Sequence, residues 1–354
     1  MASMAHDTAF ARSMGAAAHG AAPVRLWLLA VAALIFVLVG VGGATRLTGS
    51  GLSITEWQPI MGVVPPLSDA AWQEAFAKYR QIPQYALVNK GMSLDAFKAI
   101  YWWEWTHRFL ARFVGVAFAL PFIFFLATGR LARPLLARLG GIFALGALQG
   151  GIGWYMVRSG LADRVSVSQH RLALHLSLAV AIFGAVLWTA LSLGAGRGAA
   201  AAPWPLRRGA ALIVGLIFLQ VVAGAFVAGL RAGAGYNTWP LMEGQIIPQG
   251  LGALSPWWAN LFDNALTVQF NHRLLAYVLV AAVLWHFRSL MRVAGIVRVH
   301  VSGAALALGV LAQAGLGIWA LLARVPLELG LAHQAGAVAV FGLALWHLHR
   351  LRGG

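Results

Sequence analysis

The chain has 354 residues, of which 60% are hydrophobic and only 10% charged, and its mean hydropathy is +0.76. Soluble domains carry about 25% charged residues, so a soluble globular enzyme and a disordered chain are both excluded. The absence of cysteine excludes disulfides, iron–sulfur clusters, cysteine-ligated zinc and thiol nucleophiles. The formal net charge is +16, from 26 Lys and Arg against 10 Asp and Glu. In a membrane protein such an excess collects on the cytoplasmic side, so no nucleic-acid partner is expected.

A membrane span needs roughly 20 apolar residues. In chain order, eight runs qualify: 26–44, 109–128, 139–156, 172–193, 209–230, 272–290, 299–322 and 331–349. They are continuous rather than alternating, which predicts helices and not a barrel. Residues before 26 have no strongly apolar core, and the first run is long enough to span, so no cleavable signal is expected.

The arginines sort between alternate loops. With the N-terminus cytoplasmic, Arg12, Arg25, Arg130, Arg133, Arg138, Arg197, Arg207, Arg208, Arg288, Arg292, Arg298, Arg350 and Arg352 all fall inside. That predicts cytoplasmic termini, with the long loops 45–105 and 231–269 on the opposite face. The expected order is a tail over 1–25 and a first unit over 26–193. A basic linker over 194–208 and a second unit over 209–354 follow.

The chain repeats itself once. Gly43-Ala44-Thr45 leads to Ile54-Thr55-Glu56-Trp57, as Gly224-Ala225-Phe226 leads to Tyr236-Asn237-Thr238-Trp239. Trp105-Thr106-His107-Arg108-Phe109-Leu110 matches Phe270-Asn271-His272-Arg273-Leu274-Leu275, and Leu148-Gln149-Gly150 matches Ala312-Gln313-Ala314. Both halves start from the cytoplasm, so the repeat is parallel, not inverted. The expected fold is an all-α integral membrane protein: eight transmembrane helices in two pseudo-symmetric four-helix bundles. Gly146 and Gly150 form a GxxxG pattern suited to close helix packing.

Eleven histidines outnumber the ten carboxylates. An ionisable residue within a span marks function by default. His107 and His272 are repeat equivalents, each opening the second helix of its half at the outside surface. His333 lies in the outer part of the eighth helix. On the fourth helix there are two candidates: an ungapped register from Gly153 and Gly317 favours His170, whereas depth favours His175. One imidazole from each of two neighbouring helices suits an axial haem pair, whereas zinc wants more ligands. Di-iron bundles need Glu-x-x-His on two helices. Glu104 and His107 have that spacing, but Gln269 stands at the repeat position of Glu104. His286 and His347 lie fourteen residues beyond His272 and His333, about 21 Å along a helix. That spacing offers a competing reading, two haems stacked across the membrane. The first half lacks such a layer, since Pro121 stands fourteen residues beyond His107.

These residues together resemble the haem A synthase family, whose members convert haem O to haem A for cytochrome oxidase. The resemblance rests on Gly43 to Ser53, Glu56-Trp57-x-Pro59, Glu104-Trp105-Thr106-His107-Arg108, Arg171-Leu172-Ala173-Leu174-His175-Leu176, Tyr236-Asn237-Thr238-Trp239-Pro240, Asn271-His272-Arg273 and His333-Gln334. The long first loop and the lack of cysteine resemble the alphaproteobacterial and mitochondrial branch. The resemblance implies that His272 and His333 bind a haem b cofactor through its iron. It also implies that His107 and His175 bind the substrate haem O, which leaves His170 as a neighbour. Glu104 matches a carboxylate required for the reaction, in which a methyl group becomes a formyl by successive oxidations through an alcohol, with water supplying oxygen. Arg108, Arg171 and Arg273 are candidate propionate contacts, because guanidinium binds carboxylate bidentately. The implied setting is the cell inner membrane, with haem O synthase and cytochrome oxidase assembly factors as associated proteins. Two other classes fit the histidines: a di-haem bis-His cytochrome b and a haem carrier without chemistry.

Overall fold

A computed structural model describes residues 2–194, 201–293 and 297–353. Part of the expected linker, 195–200, lies outside the described residues. Eight long helices are present among those described: α1 (Ala2–Leu47), α2 (Leu94–Ala127), α3 (Arg133–Asp163), α4 (Gln169–Leu193), α5 (Trp204–Gly229), α6 (Ala265–Met291), α7 (Val297–Leu322) and α8 (Leu327–Leu351). Each contains a segment long and apolar enough to cross a membrane, starting in α1 with Ala22–Leu47. The chain is a multi-pass membrane protein. Hydrocarbon offers no partner for a free N–H or C=O, so every span closes its own hydrogen bonds as a helix.

The helix ends are specified locally. After α1 the chain reverses at Gly49, φ 69°, where Ser50 N–H donates to Thr45 O (2.8 Å) and Gly49 N–H to Arg46 O (3.1 Å). This pair of bonds is a Schellman motif, and its left-handed residue favours glycine. Ser93 caps α2 by accepting from Ala96 N–H at 3.2 Å. Asn264 Oδ1 caps α6, accepting from Leu266 N–H at 3.1 Å.

The caps stand well outside the apolar runs, so α2 and α6 are longer than hydropathy alone predicts. His107 and His272 therefore lie inside their helices rather than at the openings. The two long loops are correspondingly shorter, at 48–93 and 230–264. The early turns of α2 are amphipathic and belong to a cap built with the first long loop. There Phe97 and Tyr101 pack with Leu52, Trp72, Phe76, Tyr79 and Ile82 in a separate apolar cluster. Tyr79 accepts from Asn89 Nδ2 (2.6 Å) and donates to Gln84 Oε1 (3.1 Å), and Gln84 Nε2 donates to Gly49 O (2.9 Å). The cap is thereby tied to the end of α1.

Helix α1 packs against α2, α4 and α8, and α5 against α4, α6 and α8. The other neighbouring pairs are α3 with α4, α6 with α7, α7 with α8, and α4 with α8, while α2 and α3 meet only sparingly. The main core follows these junctions through Leu28, Val180, Val186, Ile217, Val338 and Ala344. Leu120, Leu212, Leu308 and Trp285 are exposed. Within spans, that is the face solvated by lipid. Gly146 and Gly150 do not form the expected close contact: a Cβ at either meets nothing within 4 Å. The helix-contact glycine is instead Gly229 at the end of α5, where a Cβ would lie 2.6 Å from Gln169 Cα on α4.

That obstacle is backbone and cannot swing away. Gly229→Val is expected to force α4 and α5 apart at a cost of about 1–3 kcal/mol, the usual penalty of overpacking. Thermal unfolding of the detergent-solubilised protein should show a lowered midpoint, whereas Gly150→Val should leave it near that of the unmodified protein.

Candidate functional site

The four histidines implied as ligands stand on α2, α4, α6 and α8, and each faces a glycine on the preceding helix. A Cβ at Gly42 of α1 would stand 3.0 Å from His107 Nε2. At Gly153 of α3 it would stand 3.0 Å from His175 Cε1, at Gly224 of α5 3.2 Å from His272 Cε1, and at Gly317 of α7 2.7 Å from His333 Cε1. Any side chain at these positions would meet the imidazole.

One turn before three of these glycines stands a glutamine. Gln149 Nε2 donates to His175 O (3.0 Å) and lies 3.2 Å from its Nδ1. Gln220 does the same to His272, at 3.0 and 3.1 Å, and Gln313 to His333, at 2.8 and 3.1 Å. Sequence reasoning passed over Gln220 and used the other two only to register the repeat. The signal was present: Gln-x-x-x-Gly occurs on α3, α5 and α7. On α1 the corresponding position, four before Gly42, is Leu38.

By position in its helix, His175 rather than His170 is the counterpart of His333. His175 and His333 are each the seventh residue of their helices. The ungapped register fails because α3 runs further past Gly153 than α7 runs past Gly317, and its following turn is longer. His170 is half exposed and faces Asp263, Nε2 to Oδ1 3.5 Å, with its ring against Phe226 and Phe262. It joins α4 to the second long loop, beside the Gln169–Asp263 hydrogen bond of 2.6 Å.

His286 and His347 bond directly to one another, Nε2 to Nε2 2.9 Å, and His347 Nδ1 lies 2.8 Å from Ser302 Oγ. Ser302 donates its only proton to Val299 O at 3.0 Å. It therefore accepts from His347 Nδ1–H, and His286 Nε2–H donates to His347. This pair forms a buried polar tie among α6, α7 and α8.

Glu104, three residues before His107, is buried at 1% exposure. Its Oε2 accepts from Ser53 Oγ and Ile54 N–H, both at 2.8 Å, and its Oε1 pairs with Arg108 Nη2 at 2.5 Å. Arg108 also donates to Ile54 O (2.8 Å) and Glu56 O (3.0 Å). Arg112 holds Gln58 O and Pro59 O, each at 2.8 Å. The first long loop is thus bound down along α2. It covers a cavity of about 300 Å³ lined by Trp57, Arg108, Trp154, Val157 and Arg158 among others. Of the three arginines implied as propionate contacts, Arg108 is committed to the loop and Arg171 stands over the Tyr155 ring at 4.8 Å. Arg273 donates to Tyr236 O (3.2 Å), but its Nε and Nη1 are buried without a partner.

Residues 25–345 match the family model described as Cytochrome oxidase assembly protein. The chain belongs to that family. It is similar to the "Heme A synthase" of Parvibaculum lavamentivorans, 57% identical over 325 residues, covering 92% of this chain and 93% of the relative. Relatives of the same name are 53% identical in Azorhizobium caulinodans, over 94% of this chain and 95% of the relative, and 54% identical in Bradyrhizobium diazoefficiens, over 93% and 91%.

The residues present fit haem. The donor set is imidazole, paired across helices. The free donors of Arg273 suit a propionate.

The Glu104 network yields a graded expectation for this family member. Glu104→Ala removes two accepted hydrogen bonds and leaves Arg108 without its counter-charge, and breaking a buried pair in this way costs about 3–5 kcal/mol. Glu104→Gln keeps an acceptor for Ile54 and Ser53. Thermal unfolding should therefore rank the unmodified protein above Gln and Gln above Ala. Equal midpoints for the two variants would contradict the latch.

Proposed function

We propose that this chain is an oxidoreductase that converts haem O to haem A, with the substrate haem held by His107 and His175 and a resident haem b by His272 and His333. The observation that carries this reading is the fourfold recurrence of histidine against glycine on consecutive helix pairs, joined to relatives that bear the name Heme A synthase. A bound haem supplies one-electron chemistry, while the protein sets position and potential.

The residues divide the work. His107 and His175 fix the substrate ring between α2 and α4. Glu104 lies about one helical turn, 4.5 Å, before His107 along α2, so its carboxylate stands on the outside edge of that site. Oxidation of a methyl to a formyl takes in one water and releases its hydrogens as protons and electrons. Glu104 accepts protons or orients that water, and the Arg108 ion pair with the Ser53 and Ile54 hydrogen bonds holds it in place. Arg273 would hold a propionate of the resident haem through the nitrogens that have no partner among the described residues. Electrons leave the first half towards the second.

The helix contacts support a division into two pseudo-symmetric four-helix bundles, 26–193 and 209–354, joined by the basic linker. The arginine distribution supports cytoplasmic termini in the cell inner membrane, with both long loops on the other side. A haem O synthase supplies the substrate, and assembly factors of cytochrome oxidase receive the product.

Haem extraction and chromatography of purified variants test the assignment. His272→Ala and His333→Ala should lose haem b, and His286→Ala should keep it with an unchanged low-spin spectrum. Glu104→Gln should keep both sites filled and accumulate haem O, because a group that acts on the transition state affects rate more than binding. Loss of haem b from His286→Ala, or normal haem A yield from Glu104→Gln, would contradict these roles.

A further inference from the structure

Each half carries an arginine directly after a repeated histidine, Arg108 after His107 and Arg273 after His272. The two arginines grip their loops alike. Trp57 corresponds to Trp239 in the repeat, so Ile54 corresponds to Tyr236. Arg108 Nη2 donates to Ile54 O at 2.8 Å, and Arg273 Nη2 to Tyr236 O at 3.2 Å. The residue one turn earlier differs. Glu104 pairs with Arg108. Its counterpart Gln269 is as deeply buried, at 3% exposure, yet its Oε1 has no partner among the described residues, and neither do Nε and Nη1 of Arg273. Ser53, whose hydroxyl donates to Glu104, is matched by Gly235, where a Cβ would meet nothing within 4 Å. The second half thus lacks both the carboxylate and the hydroxyl that holds it. Glu243, the carboxylate of the corresponding loop segment, is exposed and forms no ion pair with Arg273 among the described residues.

A guanidinium keeps its charge in a protein, and a buried cation with unmade hydrogen bonds is unfavourable until an anion completes it. In the first half the chain itself supplies that anion, four residues back on the same helix face. In the second half it supplies an uncharged amide there and leaves two donors for an anion from elsewhere. Given the haem assignment proposed above, on which this rests, we propose that the residue four before each arginine decides which haem is held by charge. Gln269 leaves Arg273 open to a propionate of the resident haem, whereas Glu104 neutralises Arg108 and denies the substrate haem that anchor. Gln269 is therefore a specificity residue that acts through Arg273. An enzyme that exchanges one haem on every turnover and retains another needs this inequality.

Glutamine and glutamate have nearly the same shape, so exchanging them changes charge and leaves volume almost untouched. The halves can be interconverted at this one position. Gln269→Glu gives the second half the ion pair of the first, and Glu104→Gln gives the first half the free arginine of the second.

The test uses the full-length protein purified in detergent with its native haems and mixed with excess apomyoglobin as a haem acceptor. Loss is followed in the Soret band, and the haem lost is identified by extraction and chromatography. Gln269→Glu should release haem b at least about tenfold faster, the scale of one lost charge-assisted hydrogen bond. Arg273→Gln should do the same. Gln269→Met, which removes the amide without adding charge, should release haem b at the original rate. Glu104→Gln should slow the departure of the farnesylated haem about tenfold. Thermal unfolding after haem removal separates charge from packing. Without haem, Gln269→Glu should unfold at a higher temperature than the unmodified protein, because Arg273 gains a counter-charge, although the variant holds haem b less well. An unchanged rate in Gln269→Glu, Arg273→Gln or Glu104→Gln would overturn the proposal while leaving the haem assignment intact. So would loss from Gln269→Met as fast as from Gln269→Glu, or faster loss from Gln269→Glu without a raised midpoint. If His272→Ala retains haem b, the assignment fails and this inference fails with it.

Discussion

Everything at the candidate site depends on how closely a helix backbone can approach an imidazole. A histidine side chain is short, and a haem iron between two of them requires both rings to point into the space between their helices. Here each ring is set by a glycine on the preceding helix, at a separation that excludes a methyl group at Gly317 and barely admits one at Gly42. In lipid, where apolar surface gives no net drive for helices to associate, small residues at a contact permit close van der Waals packing, and polar side chains add specific bonds. Glycine and glutamine, one turn apart, supply both: the first admits the ring and the second holds it.

That constraint links the halves as well as building each one. Helix α1 gives one glycine to His107 and the neighbouring glycine to Gln334 of α8, so a few residues of one backbone lie between His107 and the residue beside His333. The cap built on the first long loop performs a different task. Its apolar cluster around Tyr79 and Phe97 anchors the early turns of α2, and the Glu104–Arg108 network binds the first loop to the same helix above His107. The buried carboxylate is thus fixed by groups outside the span, where a change in the loop reaches it directly.

The sequence made the eight spans legible, because twenty apolar residues have few other uses, and the repeat brought out His107 and His272 as partners. It misplaced the starts of α2 and α6, since the caps at Ser93 and Asn264 precede amphipathic turns that hydropathy discounts. Gly146 and Gly150 matched a packing pattern yet face open space, because α3 meets its neighbours on another side. The choice between His170 and His175 was hidden by a length difference between α3 and α7 that an ungapped comparison cannot register. The glutamines were the largest omission. A Gln in a span reads as an isolated polar residue until the opposing helix is placed, and only then does its distance to an imidazole give it a role.

The most direct measurement is the haem composition of the full-length protein purified from membranes that make haem O. The account requires two chemically distinct haems per chain, haem b together with haem O or haem A. Two equivalents of haem b with no farnesylated haem would show a cytochrome that moves electrons and does not modify its cargo. Absence of haem altogether would contradict the assignment of the four histidines.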